Sequence, residues 1–204
     1  MEKVHKDIVE GALNAYMLLG IKSITMNDMA TKLGISKKTL YKYVRDKDDL
    51  VKQALKFQCD GEQRDIECIC TENYNAIEES FKISEYVSKI LKNISPSVHY
   101  DLEKYHKKTF EEAIEERQGQ IYRCVSENIA KGIKEGYYRS DLNIEIISKF
   151  YLSKIPLIFD GKIFPPERLT FVQVNQEFFD YHIRGIATEK GIKYLENNIK
   201  NQRK

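Results

Sequence analysis

The sequence predicts an all-α protein, and three observations lead to that fold class. Proline and glycine, which are poorly tolerated inside helices, make up only 4 and 10 of the 204 residues. Apolar residues recur every three or four positions along most of the chain, which is the spacing of an amphipathic helix. Ser, Thr, Asp and Gly residues divide these segments where helices are expected to begin and end. The composition, 42% hydrophobic and 31% charged, is that of an ordinary globular chain.

The first helix is predicted over residues 2–19, and Gly20 ends its apolar pattern. A second, short helix begins after Thr25. The Thr25 hydroxyl can accept a hydrogen bond from the third helical residue, and Asp28 at that position can accept one in return, which makes a capping box. The apolar residues that follow give this helix one buried face.

A tight turn and a third helix follow directly. Gly34 is expected to adopt the positive φ that often ends a helix, and Ser36 to cap a helix over residues 37–43. Leu40 and Val44 are four residues apart and are predicted to face the core. Two short helices joined by a turn that contains glycine are the pattern of a DNA-binding helix-turn-helix.

The first turn of the third helix carries Lys37 and Lys38. The helix dipole disfavours cations at this end, and a polyanion in front of it would remove the conflict. Lysines and hydroxyls are also suited to phosphates and base edges. The alternative is a solvated helix with two surface lysines.

The same stretch resembles the N-terminal domain of the TetR family of transcriptional regulators. The residues that match the family pattern are Thr25, Met29, Ala30, Leu33, Gly34, Ile35, Ser36, Thr39, Leu40, Tyr41, Tyr43 and Lys47. Val44 departs from the pattern, because many members have Phe there, and this affects packing more than DNA contact. The resemblance implies a helix-turn-helix domain over residues 1–48 and a larger helical domain for ligand binding and dimerisation over residues 49–204.

The residue types and the resemblance together predict the DNA contacts. The predicted DNA-binding residues are Thr25, Asn27, Ser36, Lys37, Lys38, Thr39, Tyr41, Lys42, Tyr43 and Lys47. Lys37, Lys38 and Thr39 are predicted to read base edges. Tyr41, Tyr43 and Lys47 are predicted to hold phosphates, with Thr25 and Asn27 assisting from the preceding helix.

The charge distribution agrees with this division. Residues 1–58 contain 11 Lys and Arg against 7 Asp and Glu, a net charge of +4. The remaining residues carry 22 against 24, a net charge of −2. A basic N-terminal part on an acidic remainder is typical of a protein that binds nucleic acid through its N-terminal part.

The rest of the chain is predicted to be helical, with a break at residues 95–97 and a short last helix in the tail. The predicted helices cover residues 46–70, 73–93, one or two helices within 98–117, then 118–135, 144–159 and 167–188. The helices over 144–159 and 167–188 are apolar on more than one side, so each must cover something besides its own core. The resemblance implies that this is a second copy of the chain, in a two-fold four-helix bundle. A fully buried pair in a monomer is the alternative.

An effector pocket is expected in the larger domain, again by resemblance. Pockets are lined mostly by apolar and aromatic side chains with a few polar groups. The candidate effector-binding residues are Tyr86, Tyr105, Phe110, Tyr122 and Tyr151. The alternative for each of them is an ordinary core position.

The sequence contains no motif of a nucleotide-binding loop, a hydrolase nucleophile or a metalloprotease, so no enzyme, cofactor or metal is predicted. His99 and His106 could share a helix face, and a metal or acid–base pair there is the alternative to solvated or hydrogen-bonded side chains. Cys68 and Cys70 have no second pair at the spacing of a zinc site.

The expected compartment is the cytoplasm. The N-terminus contains acids and helical periodicity, unlike a signal peptide, and no apolar run is long enough to span a bilayer. The four cysteines are then expected to be free thiols.

The sequence therefore predicts a homodimeric, sequence-specific repressor that a small molecule releases from a palindromic operator. Two alternatives stay open. One is a constitutive or architectural DNA-binding dimer without a ligand, and the other is a redox-sensing regulator acting through Cys59, Cys68 or Cys124.

Overall fold

The all-α fold class is confirmed by a computed structural model that describes residues 2–93 and 96–199. Within these residues there is no β-strand, and one isolated bridge joins Tyr138 and Ala187. No helix in this part of the chain is long and apolar enough to cross a membrane. The helices are α1 Lys3–Leu19, α2 Met26–Lys32, α3 Lys37–Leu40, α4 Lys47–Thr71, α5 Ala76–Asn93, α6 Pro96–Tyr105, α7 Lys107–Lys134, α8 Ile144–Ile158, α9 Phe171–Ile186 and α10 Glu189–Tyr194, followed by a π-helical turn Leu195–Ile199.

Local capping sets several of these boundaries. Thr25 and Asp28 form the predicted capping box at the start of α2, with the Asp28 amide 3.2 Å from the Thr25 hydroxyl. Gly20 and Gly34 have φ of 81° and 65°, which a residue with a side chain rarely adopts. Both glycines end the preceding helix as predicted.

Three predicted boundaries are wrong. The helix expected to end near residue 117 continues, because no proline or positive φ interrupts α7 between Lys107 and Lys134. The helix expected from residue 167 begins at Phe171, because Thr170 and Gln173 form a capping box there. The third helix ends at Leu40, and residues 41–43 form a turn. The predicted break at residues 95–97 lies partly outside the described residues.

The described residues divide into two compact units. The N-terminal unit comprises residues within 1–64 and 93–117, and the C-terminal unit comprises residues within 65–92 and 118–204. α4 and α7 each contribute residues to both units. The predicted boundary at residue 48 separates a DNA-binding domain from a ligand-binding and dimerisation domain. These compact units do not test that functional boundary, which stays a prediction.

The core of the N-terminal unit surrounds the helix-turn-helix. Leu40 and Val44 are 0% and 2% exposed, as their spacing predicts. They pack in one cluster with residues of α1, α4 and α6, the last supplying Val98 and Leu102. α6 is therefore part of the scaffold that holds α2 and α3.

The core of the C-terminal unit contains a buried polar network between α5 and α7. The Asn128 amide donates to the Ala76 carbonyl at 2.9 Å and to Glu79 at 2.7 Å, and Lys131 pairs with Glu79 at 2.6 Å. The Tyr138 hydroxyl donates to the same Ala76 carbonyl at 3.1 Å. Because every member has a partner, the network fixes the register of the two helices.

Two glycines of α7 provide a matched test of this packing. A Cβ on Gly132 would overlap the Tyr138 ring, whereas a Cβ on Gly119 would meet nothing within 4 Å. Gly132→Ala should therefore destabilise the protein by about 1–3 kcal/mol through overpacking. Gly119→Ala should stabilise it by about 0.5–1 kcal/mol, because alanine favours the helix. Urea unfolding measures both, and equal effects of the two substitutions would contradict the packing described here.

Candidate nucleic-acid interface

The turn between α2 and α3 is built from backbone hydrogen bonds. The Gly34 amide donates to the Thr31 carbonyl at 3.1 Å, and the Ile35 amide donates to the Ala30 carbonyl at 3.0 Å. Ser36 then caps α3, with its hydroxyl accepting from the Thr39 amide at 3.0 Å. These contacts turn the chain so that α3 starts at the surface.

The predicted DNA-binding residues all lie on the surface of the N-terminal unit. The exposed ones are Thr25, Asn27, Ser36, Lys37, Lys38, Tyr41 and Lys42, and the partly buried ones are Thr39, Tyr43 and Lys47. Thr25 and Ser36 also act as helix caps, so their hydroxyls already have backbone partners. Their first role is therefore to position α2 and α3.

Three lysines of this surface have no ion-pair partner in the described part of the chain. Among the ion pairs of residues 2–93 and 96–199, none involves Lys37, Lys38 or Lys42. Lys37 lies 5.8 Å from the centre of the Tyr41 ring, which is 42% exposed. Arg45, which is not among the predicted DNA-binding residues, has a side chain that is 84% exposed and lies 3.6 Å from Asp49. Its position between Tyr43 and Lys47, two predicted phosphate-binding residues, is the sequence signal that marks Arg45 as a further candidate.

Tyr43 is held by α1 and α4. Its ring stacks on the His5 ring with centroids 5.5 Å apart, and its carbonyl accepts from the Gln53 side chain at 3.3 Å. His5 in turn contacts Gln53 at 2.5 Å. The start of α1 and the end of the helix-turn-helix are thereby joined.

Lys47 begins α4 and is linked to α6 through the loop after α1. Its amine lies 3.4 Å from the Lys22 carbonyl, and burial lowers the pKa of Lys47. The Lys22 amide donates to the buried carboxylate of Asp101 on α6 at 2.8 Å. Next to this contact, His106 lies 2.5 Å from Asp48. These contacts hold the Lys47 end of α4, where a phosphate contact is predicted.

The C-terminal unit contains a cavity of about 30 Å³ between α5, α7, α8 and α9. Its walls are apolar and aromatic with a few polar groups: Ser80, Ile83, Cys124, Val125, Asn128, Ile129, Tyr151, Phe179, His182 and Ile183. Of the predicted effector residues, only Tyr151 lines it. His182 is not among the predicted effector residues, and the signal for it in the sequence is a single histidine on an apolar helix face.

The other predicted effector residues lie elsewhere. Tyr86 donates to Asp65 at 2.7 Å, and Tyr122 is half-buried on α7. Tyr105 and Phe110 belong to the N-terminal unit. There Phe110 packs against the helix-turn-helix core, and Tyr105 is 42% exposed beside the Lys22 amine. The structure thus does not bring the five residues together.

Burial suppresses ionisation around the cavity. Desolvation, followed by the nearby charge of Lys154, lowers the pKa of His182 to about 4, so the imidazole is neutral at pH 7. Desolvation raises the pKa of Cys124 to about 12 and also raises the pKa of Cys59 and Cys70. Because the thiolate is the reactive form, this burial disfavours a redox sensor that acts through Cys59 or Cys124.

No group of three or more His, Cys, Asp or Glu in the described part of the chain is placed to hold a metal ion. The His99 ring packs edge-on against Phe110 with centroids 5.1 Å apart, whereas His106 contacts Asp48. The two histidines that the sequence analysis considered together therefore have different partners.

The first helices of the chain form a helix-turn-helix, and its surface lysines are unpaired within the described residues. These are the features of a DNA-binding protein of the helix-turn-helix class. Residues 8–54 match the sequence model described as bacterial regulatory proteins, tetR family. This match confirms the predicted resemblance of the N-terminal part to the DNA-binding domain of TetR-family transcriptional regulators.

Proteins that are similar in sequence or in fold match this chain over most of its length. An uncharacterised HTH-type transcriptional regulator of Bacillus subtilis, YvaF, is 27% identical over 178 residues, which are 82% of this chain and 88% of YvaF. A transcriptional regulator from Cytophaga hutchinsonii has the same fold, with a TM-score of 0.71, 18% identity, and coverage of 89% of this chain and 97% of its own. AibR, solved with isovaleryl coenzyme A and operator DNA, has a TM-score of 0.60 and 15% identity, covering 88% of this chain and 97% of its own.

Two alanine substitutions separate the predicted roles of the lysines. Lys47→Ala should weaken binding to all DNA sequences by the same factor and reduce the salt slope by about one, the loss of one phosphate contact. Lys37→Ala should instead relax the preference at one base position by about 1–3 kcal/mol. Both effects are measured by fluorescence anisotropy on a set of duplexes at several salt concentrations.

Lys193→Ala, on α10 in the C-terminal unit, removes the same charge from a residue that is not among the predicted DNA-binding residues, and it is the control. It should leave base preference and salt slope unchanged. If Lys37→Ala and Lys47→Ala both lower affinity uniformly across sequences, the assignment of separate roles is wrong.

Proposed function

We propose that this regulator is a homodimeric repressor of a palindromic operator, and that a small molecule bound in the C-terminal unit releases it from DNA. The observation that carries the DNA-binding part is the exposed first turn of α3, where Lys37 and Lys38 have no acidic partner among the described residues. Duplex phosphates and base edges supply the missing partner. Burial of Leu40 behind these lysines aims them outward.

In this proposal each protomer lays α3 in a major groove. Lys37, Lys38 and Thr39 contact base edges, while Tyr41, Tyr43 and Lys47 hold phosphates. Two such helices engage a palindrome when they are about 34 Å apart, one turn of DNA, or a small multiple of it. A two-fold dimer meets this requirement because its symmetry matches that of the operator.

The dimer is proposed to form through α8 and α9, within the predicted ranges 144–159 and 167–188. Ile146, Phe150 and Leu157 of α8 are 48%, 65% and 39% exposed, and Tyr181 of α9 is 78% exposed. The three α8 residues recur at spacings of four and seven, so they share one helix face. An exposed apolar stripe on α8, with Tyr181 exposed on α9, supports a self-complementary interface.

Phe150→Asp tests this interface. A carboxylate placed in an apolar interface should weaken the dimer at least about tenfold, the effect of about 1.4 kcal/mol. The monomer should keep its helicity, because Phe150 is exposed in the single chain. Sedimentation velocity over a range of concentrations measures the change.

Leu18→Asp is the matched control, since Leu18 is an apolar residue of the N-terminal unit that is 78% exposed. It should leave the dimer intact. A Phe150→Asp protein that remains as dimeric as the Leu18→Asp protein would contradict an interface through α8.

Release by an effector requires the cavity to open. Its volume of about 30 Å³ holds about two water molecules, whereas ligand pockets occupy about 300–1,000 Å³. A ligand that binds an enlarged cavity better than the closed one shifts the population toward the enlarged form. α4 and α7 have residues in both units, so a displacement of either helix changes the support of the helix-turn-helix.

The second candidate is a constitutive DNA-binding dimer without an effector. The small cavity is the observation that favours it, because a protein without a ligand needs no larger space. Its DNA affinity would not respond to small molecules. AibR, a protein of the same fold, was solved with isovaleryl coenzyme A and operator DNA, which supports a function that involves a small molecule as well as DNA.

Selection from a library of randomised duplexes at two salt concentrations tests the DNA-binding proposal. Recovery of one palindromic motif that survives the higher salt is the expected result. Motif-free binding that disappears at the higher salt would mean contacts to phosphates only and would contradict a specific repressor. The recovered operator then serves to assay release by small molecules.

A further inference from the structure

Lys154 on α8 is a buried cation without an anion. Its residue is 3% exposed, and within residues 2–93 and 96–199 it makes no hydrogen bond or ion pair. Its amine lies 3.7 Å from the centre of the Tyr151 ring and 4.9 Å from that of Phe178. Attraction to two aromatic rings offsets only part of the cost of removing an ammonium group from water. The fold therefore contains a buried charge whose desolvation cost is not fully offset by its neighbours.

Tyr151 connects this charge to the cavity. Its ring lines the cavity wall and contacts the Lys154 amine on α8. It also packs edge-on against His182 of α9, with centroids 4.8 Å apart. The positive charge of Lys154 also contributes, after desolvation, to the low pKa of His182. The Tyr151 ring thus lies between the Lys154 amine and the cavity.

The surroundings of the cavity contain further unmet hydrogen-bonding groups. The hydroxyls of Ser84 and Ser148 are buried without a hydrogen-bond partner in the described part of the chain. Ser84 is one helical turn from Ser80, and Ser148 is one turn from Tyr151, both of which line the cavity. None of the lining residues is an Asp or Glu. Native proteins leave few buried polar groups unpaired, so these hydroxyls indicate a missing polar partner.

The remaining polar groups of the wall are already occupied. The Ser80 hydroxyl donates to the Asn128 side-chain oxygen at 2.7 Å. The Asn128 amide donates to Ala76 and Glu79, and Glu79 pairs with Lys131. A ligand would therefore find its free polar partners toward Tyr151, Lys154 and His182, and apolar side chains on the rest of the wall.

We propose that the effector is a small monocarboxylic acid with an apolar body, whose carboxylate pairs with Lys154 in place of the aromatic rings. This inference rests on the proposed effector-dependent function and names the class of the ligand. One cation beside a neutral imidazole matches one negative charge. The His182 imidazole can donate a hydrogen bond to the carboxylate, and Ile83, Val125 and Phe179 provide surfaces for the apolar body.

The first test needs no ligand. Lys154→Met keeps the length of the side chain and removes its charge, so the Tm of the unliganded protein should rise. Lys149→Met on the same helix is the control, because Lys149 is exposed and paired with Glu145 at 2.5 Å, and its Tm should change little. A lower Tm for Lys154→Met would show that the cation stabilises the fold by itself and would overturn the argument.

The second test uses matched pairs of probes, hexanoate with hexanamide and benzoate with benzamide, by thermal shift and titration calorimetry. The acids should raise the Tm of the wild-type dimer, whereas the amides should not. Lys154→Met should weaken binding of the acids at least tenfold, and Lys149→Met should not. Equal binding of the amides, unchanged binding by Lys154→Met, or no response to either acid would overturn the proposal.

The operator assay distinguishes this inference from the proposed function. Acids that bind through Lys154 without releasing operator DNA would contradict effector-dependent repression and leave the ligand class standing. Release of DNA by a neutral compound, with no response to the acids, would support effector-dependent repression and contradict the proposed ligand class. Release by the acids that Lys154→Met abolishes supports both.

Discussion

The burial of Leu40 is the constraint on which the DNA-binding surface depends. α3 comprises only residues 37–40, and a single helical turn has no stability in isolation. Leu40 is 0% exposed in a cluster with α1, α4 and α6, so tertiary packing holds the turn in place. Because one side of so short a helix is fully used, Lys37 and Lys38 must face solvent. The scaffold determines the direction of the cations, and the Ser36 cap determines where the helix begins.

Unpaired positive charge marks both candidate sites, in opposite environments. At α3 the lysines are hydrated, so the absence of an acidic partner costs little and leaves them ready for phosphates. At Lys154 the charge is buried, and we expect the absence of an anion to destabilise the unliganded protein. A hydrated surface charge binds its anion weakly enough for the DNA to be released. A buried charge binds a small anion much more strongly than a neutral compound of the same shape. This contrast connects the proposed operator and the proposed effector to one electrostatic principle.

The DNA-binding residues could be predicted from the sequence because they are local. Thr25 through Lys47 lie within one short stretch, and caps, turn glycine and apolar spacing act between neighbours in the chain. The cavity could not be predicted in the same way. Its walls come from α5, α7, α8 and α9, and which aromatic residues meet there depends on packing between distant segments. Tyr105 and Phe110 are aromatic like Tyr151 and Phe179 of the cavity wall, yet they lie in the other unit.

The sequence by itself determined the helical class, the position of the helix-turn-helix and the solvent-facing lysines, because these follow from periodicity and local hydrogen bonds. Only the tertiary structure decided that α7 is continuous, that α6 supports the helix-turn-helix, and that Lys154 is buried beside a cavity. A lysine in an apolar helix looks like any surface residue until its neighbours are known. The cost of burying a charge depends on the groups around it, and only the folded chain brings those groups together.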